Sequence, residues 1–116
     1  MNEPFSISSE RLSGTLGLVA LTGEVDIATA PRFRECMIEL LDAGVEKLVV
    51  DLSGVTFIDS TALGVLIGGV RRVRGAGGAM TLVVTSRPVQ RVLSLTGLDR
   101  VFAIHATREA AVEALA

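Results

Sequence analysis

The chain is short of the groups on which most site chemistry depends. Among 116 residues there is no Trp and no Tyr, and only one Cys and one His. With aromatics at 3%, single-stranded bases have no stacking surface. A lone thiol, Cys36, excludes an internal disulfide and suits a reducing compartment. One cysteine and one histidine also leave a soft-metal site without enough ligands. A serine nucleophile would have to take its base from His105, near the last predicted strand, and no Gly-x-Ser-x-Gly elbow is present. The phosphate-binding Gly-x-x-x-x-Gly-Lys loop and the dinucleotide fingerprint are missing too. An enzyme is not expected, and neither is a cofactor or a resident metal.

Charge is equally sparse. A net charge of −2 lacks the basic excess of a protein that lives on phosphate backbones, so no nucleic-acid partner is expected. The one dense basic cluster, Arg71, Arg72 and Arg74, reads as a solvated helix end. Met1 to Glu10 has no basic region followed by an apolar run, as a secretory signal would. The longest run of apolar and glycine residues, Ala62 to Val70, is well short of the ~18 needed to span a bilayer. The expectation is a cytoplasmic protein with no membrane anchor.

What the chain does have is aliphatic bulk in alternating patterns. Hydrophobic residues make up 49% and charged residues 21%, a globular composition of a size suited to one domain, 1–116. Phe5 and Ile7 alternate with serines, and Thr15 to Leu21 is rich in strand formers. With Ser13-Gly14 as the turn, the two segments predict an antiparallel hairpin. Thr22 to Asp26 is expected to break the second strand. Thr29 or Ala30 then caps a helix with Pro31 in its first turn. Phe33, Cys36, Met37, Leu40 and Leu41 form its apolar stripe, which places Cys36 in the core, and Gly44 ends it.

Lys47 to Leu52 carries Leu48-Val49-Val50, a run suited to a strand covered on both faces. Ser53-Gly54 is expected to bend the chain before Val55 to Ile58. Leu63, Leu66, Ile67, Val70 and Val73 mark one face of the next helix, which the Gly75, Gly77 and Gly78 cluster ends. Met80 to Val84 reads as a strand. Ser86 and Pro88 open a short helix closed by Gly97, and Val101 to Ile104 is a last strand. Thr107 caps a final helix, Arg108 to Leu115. Strands alternating with helices predict an α/β fold. Its sheet is mixed but mostly parallel, with an N-terminal antiparallel hairpin and about four helices.

The chemistry concentrates at Asp59-Ser60-Thr61, where a strand, a loop and the start of an amphipathic helix meet. Short polar side chains at a helix start satisfy orphan N–H groups, so Ser60 could be no more than a cap. Against that, a helix needs one cap and this turn offers three candidates. The turn also sits at the carboxyl end of a parallel strand, where open α/β sheets place their sites. Asp59 either positions the Ser60 hydroxyl or caps the helix. Thr61 is a second candidate for modification in the same turn.

The pattern as a whole resembles the STAS-domain family of anti-sigma factor antagonists. The residues that carry it are Gly23-Glu24-Val25-Asp26, Val49 to Ser53 and, above all, Phe57-Ile58-Asp59-Ser60-Thr61-Ala62-Leu63-Gly64-Val65-Leu66. The resemblance runs from about Ser6 to Leu115. It implies that Ser60 is phosphorylated by an anti-sigma factor with serine-kinase activity. The unphosphorylated form binds that factor and frees the sigma factor, and a PP2C-type phosphatase resets the switch. It also implies a partner surface built from Gly23, Glu24, Val25, Asp26, Asp59, Ser60, Thr61, Ala62 and Leu63. From the residues alone, Gly23 to Asp26 is a solvated turn. Many members have Gly where this chain has Ala62. STAS modules also serve as structural subunits of stress-sensing or lipid-transport assemblies, the alternative reading.

Overall fold

A run of β-branched and leucine residues with no interior proline is what a sheet buried on both faces requires, and three such runs build the centre of this molecule. The structure, a computed structural model, describes residues 4–116. Its elements are β1 (Ser6–Arg11), β2 (Leu16–Val25), α1 (Ala30–Asp42), β3 (Lys47–Ile58) and α2 (Ser60–Gly75). They continue with β4 (Ala79–Val83), α3 (Arg87–Leu95), a single 3₁₀ turn at Leu98–Arg100, β5 (Ala103–His105) and α4 (Arg108–Glu113). The sheet order is β1-β2-β3-β4-β5. β1 pairs antiparallel with β2, and every later neighbour is parallel. β1 and β5 therefore form the two edges.

Alternation along the strands divides the interior in two. Val19, Leu21, Leu48, Val50, Leu52 and Leu82 point to one face, where they pack with Phe33 of α1, Leu66 of α2 and Leu93 of α3. Leu18, Val49 and Val83 point to the other face, covered by Ala111 and Leu115 at the C-terminal end. Among the described residues α4 is thus the sole helix on its side. It is held by Thr81 Oγ1, which donates to the Ala111 carbonyl at 3.1 Å, and by an ion pair between Arg108 and Asp51.

Several expected boundaries move. Thr22 to Val25 does not break β2, because those residues stay paired with β3 through two register shifts. Ser53-Gly54 does not interrupt β3 for the same reason: the pairing resumes at Thr22–Gly54. Phe5 lies just before β1 and packs half-buried on the core, with the Arg32 guanidinium 5.2 Å from its ring centroid. The last strand starts at Ala103 rather than Val101, and α4 ends at Glu113 rather than Leu115. Thr29 and Ser86 occupy N-cap positions without bonding their helices through their side chains.

Glycine in α2 has two different explanations. A Cβ on Gly69 would lie 2.7 Å from Met37 Sδ, so glycine there lets α1 and α2 approach. Gly64 and Gly68 have nothing within 4 Å of a Cβ position, yet each costs the helix about 1 kcal/mol relative to alanine.

Asp51 is buried at 4% exposure. Burial alone would push its carboxyl up, but hydrogen bonds from Ser53 and Arg108, with the Arg108 charge, outweigh that and hold it below the usual carboxylate range. Between the folded and unfolded values the unfolded chain binds more protons, so stability rises with pH through that window. Above the ordinary carboxylate range the contribution is complete, and it is lost as pH falls through the lowered folded value. Asp51→Asn should remove this acid-side slope and lower stability at neutral pH by about 1–3 kcal/mol. Urea unfolding of both proteins from neutral to strongly acidic pH checks it.

Candidate functional site

β2 and β3 run in parallel and end side by side, with Val25 opposite Ile58, so the loops that follow them meet. The Asp59 N–H donates to the Val25 carbonyl at 3.2 Å. Asp59 is extended (φ −107°, ψ −177°) and is the N-cap of α2. Its Oδ1 accepts from the Ala62 N–H at 3.0 Å, while its Oδ2 accepts from the Ile27 N–H at 3.1 Å. One carboxylate therefore starts the helix and ties the neighbouring loop to it.

That loop is pinned from its own side as well. Asp26 Oδ1 accepts from the N–H groups of Ala28 at 2.9 Å and Thr29 at 3.2 Å, the turn that aspartate readily forms. Thr29 Oγ1 accepts from the Asp26 N–H at 2.9 Å and donates to the Glu24 carbonyl at 3.1 Å. This network uses Thr29 to brace the turn, which explains why it does not cap α1.

Ser60 is the first residue of α2 and is exposed. Because Asp59 caps the helix, the Ser60 hydroxyl is left over, and it makes no hydrogen bond with the described residues. Thr61 is exposed beside it. Both sit at the positive end of the helix dipole, among N–H groups with no intrahelical acceptor, an environment that accepts an anionic group without disturbing the fold. Among the described residues no group of three or more His, Cys, Asp and Glu side chains is placed to hold a metal.

The other expected surface residues divide by depth. Glu24, Asp26 and Asp59 are half-buried. Gly23 is buried, as are Val25 at 0%, Ala62 at 0% and Leu63 at 8% exposure. Those four support the surface from beneath. The Ala62 methyl points inward, so alanine in place of glycine puts nothing in a partner's way.

Two residues escape sequence reasoning. Ile27, on the loop tied to Asp59, is 74% exposed, and Phe57, near the end of β3, is 48% exposed. Phe57 hides in Val55 to Ile58, a segment that reads only as the approach to the next helix. Ile27 follows Val25 at strand spacing, so by pattern it reads as one more inward residue, and only the turn begun by Asp26 sends it outward.

Comparisons with known proteins bear on the family and the fold. The STAS domain model matches residues 6–111. The chain belongs to the STAS-domain family of anti-sigma factor antagonists. An anti-sigma-B factor antagonist of Bacillus subtilis is 35% identical over 82% of this chain and 86% of its own. A crystal structure of an anti-sigma factor antagonist from Mycobacterium paratuberculosis matches with a TM-score of 0.88 and 28% identity, covering 97% of this chain and 94% of that one. The Bacillus cell fate determinant SpoIIAA in its phosphorylated form has the same fold, with a TM-score of 0.75 at 20% identity, over 96% of this chain and 100% of its own. This STAS domain has no helix, among the described residues, long and apolar enough to cross a membrane.

Asp59→Ala should cost about 0.5–2 kcal/mol through the lost cap, and should raise amide hydrogen exchange at Ile27 along with Ala62. Ser60→Ala, which removes no bond, should stay within about 0.5 kcal/mol of the parent. Urea unfolding together with residue-resolved exchange separates the two.

Proposed function

We propose that this chain is a cytoplasmic binding regulator switched by phosphorylation of Ser60. Unphosphorylated, it binds an anti-sigma factor that is also a serine kinase, and the sigma factor is released. The kinase transfers the γ-phosphoryl group of ATP to Ser60 Oγ, leaving ADP and the hydroxyl proton, and binding is lost. A PP2C-type phosphatase hydrolyses the phosphoserine with water and restores the binder.

The observation that carries this reading is the hydroxyl itself. Ser60 is exposed, at a helix start, and relieved of capping by Asp59. Resemblance to antagonists supplies the partner class. A phosphorylated protein of the same fold supports a switch that leaves the fold intact.

The switch then acts at the contact surface. Phosphate adds about −1.5 to −2 charges, next to the Asp59 carboxylate and close to the Asp26 loop that Asp59 holds. A partner surface fitted to a hydroxyl meets bulk and like charge. A ~1000-fold loss of affinity requires only ~4 kcal/mol, which like-charge juxtaposition at an interface can supply. Ile27 and Phe57 provide the apolar part of the contact, since interface energy gathers on a few large side chains in a polar rim.

The test is incubation with the anti-sigma factor kinases of the same bacterium and ATP. Ser60 should take up the phosphoryl group, and Ser60→Ala should take up none while binding persistently. Ser60→Asp should bind more weakly, and unchanged affinity would count against the switch. Ile27→Asp should weaken binding about ten-fold or more without shifting the unfolding midpoint, as read by titration calorimetry and urea melts.

A further inference from the structure

Charge is not spread evenly along this chain. Residues 60–101, which hold α2, β4, α3 and the 3₁₀ turn, carry six arginines and a single acid, Asp99, while the rest of the sequence carries 12 acidic and 5 basic residues. The fold then gathers most of those arginines. Each parallel crossover returns its helix to the amino ends of the strands, so α2 and α3 both finish at the end of the sheet opposite Ser60. Arg71 is about 16 Å along α2 from Ser60. Arg74 Nη2 donates to the Val101 carbonyl at 2.8 Å, which ties the end of α2 to the segment that follows α3. Arg71, Arg91 and Arg100 are exposed and make no ion pair with the described residues. Arg72 is turned toward α1, where it pairs with Asp42 at 2.6 Å. The cluster that reads as a solvated helix end is therefore divided. One arginine is engaged with α1, and the others share their end with Leu95, which is one turn beyond Arg91 on the same ridge of α3 and is 76% exposed.

We infer that this basic end binds the Ser60 end of a second copy of the chain, head to tail. Both halves of the complement are present in one molecule. At the Ser60 end, Asp26 and Asp59 make no ion pair with the described residues, and Ile27 and Phe57 project beside them. At the other end, arginines accompany one protruding leucine. Opposite charges and apolar side chains meet only when unlike ends face each other, because like ends repel. Neither end is of one sign throughout. On α1, near the Ser60 end, Arg32 stands over the Phe5 ring and Arg34 has Glu35 beside it. At the basic end Asp99 adjoins Arg100, and Glu46 begins the neighbouring strand, where its carbonyl accepts from Ala79. The contact is accordingly of the weak, transient class. A lipid surface is the poorer match, since a single leucine gives it little to bury.

The contact is heterologous. Each copy offers its head to one neighbour and its tail to another, so the association extends rather than closes. It covers Ser60, Ile27 and Phe57 of one molecule in each pair, and withholds that end from other partners as the chain becomes concentrated. The inference does not require Ser60 to be phosphorylated.

The experiment is sedimentation equilibrium of the full chain from about 10 μM to about 1 mM, at low and high salt. The average mass should rise continuously with concentration at low salt, without a plateau at two chains, and return to the monomer at high salt. Arg71→Glu combined with Leu95→Ser disables the tail, and Ile27→Lys disables the head. Each variant should remain monomeric while keeping the parent's unfolding midpoint in urea. Mixed in equal amounts, the two should form a one-to-one pair that grows no further, since each supplies the end the other lacks. A parent mass that stays monomeric throughout, or a mixture that does, would overturn the inference while leaving the Ser60 reading intact. Binding of the monomeric parent, but not of the tail variant, to vesicles of phosphatidylglycerol and phosphatidylcholine would also overturn it, by assigning the arginines to a lipid surface.

Discussion

Everything at the working end of this protein hangs on the two oxygens of Asp59. One accepts from Ala62 and begins α2, and the other accepts from Ile27 and fixes the loop after β2. A neutral cap such as serine has a single side-chain oxygen and would satisfy the helix alone. The second oxygen makes the two loops one surface, while the capping oxygen relieves the Ser60 hydroxyl of structural duty. In the proposed switch, the same carboxylate is the negative charge that a phosphoryl group on Ser60 would meet. One residue therefore orders the surface and, in that proposal, sharpens its response.

The sheet beneath explains why that surface is rigid. Val25, Ile58, Ala62 and Leu63 are all buried within one core, so the strand ends that carry the loops cannot shift separately. The opposite face is a smaller structure. It rests on Leu18, Val49, Val83, Ala111 and Leu115, with the Asp51–Arg108 pair fastening α4. The two faces divide the labour: α1, α2 and α3 stabilise the site, and α4 closes the back of the sheet.

Much of this was legible in the sequence because its patterns are local. The Leu48-Val49-Val50 run, the apolar stripes of α1 and α2, and the Pro31 and Gly97 punctuation all predicted the elements that form. What failed to show was long-range. Thr22 to Val25 reads as a turn, and remains strand because β3 pairs with it through two register shifts. Asp59 as cap and Ser60 as free hydroxyl are indistinguishable by residue type, since either can cap a helix. The exposure of Phe57 depends on how β3 continues past Gly54, which no window of the sequence contains. Asp51 and Arg108 are far apart in the chain and meet only when α4 packs.

The sheet's two margins have a consequence for how the molecule meets its own copies. The outer rim of β1 is studded with Ser8, Ser9, Glu10 and Arg11, all exposed, and the opposite rim, β5, is only 3 residues long. Neither offers a flat apolar template to another copy's strands. Association between copies through these margins is therefore disfavoured, and the large exposed apolar residues Leu12, Ile27, Phe57 and Leu95 all lie off the two edge strands.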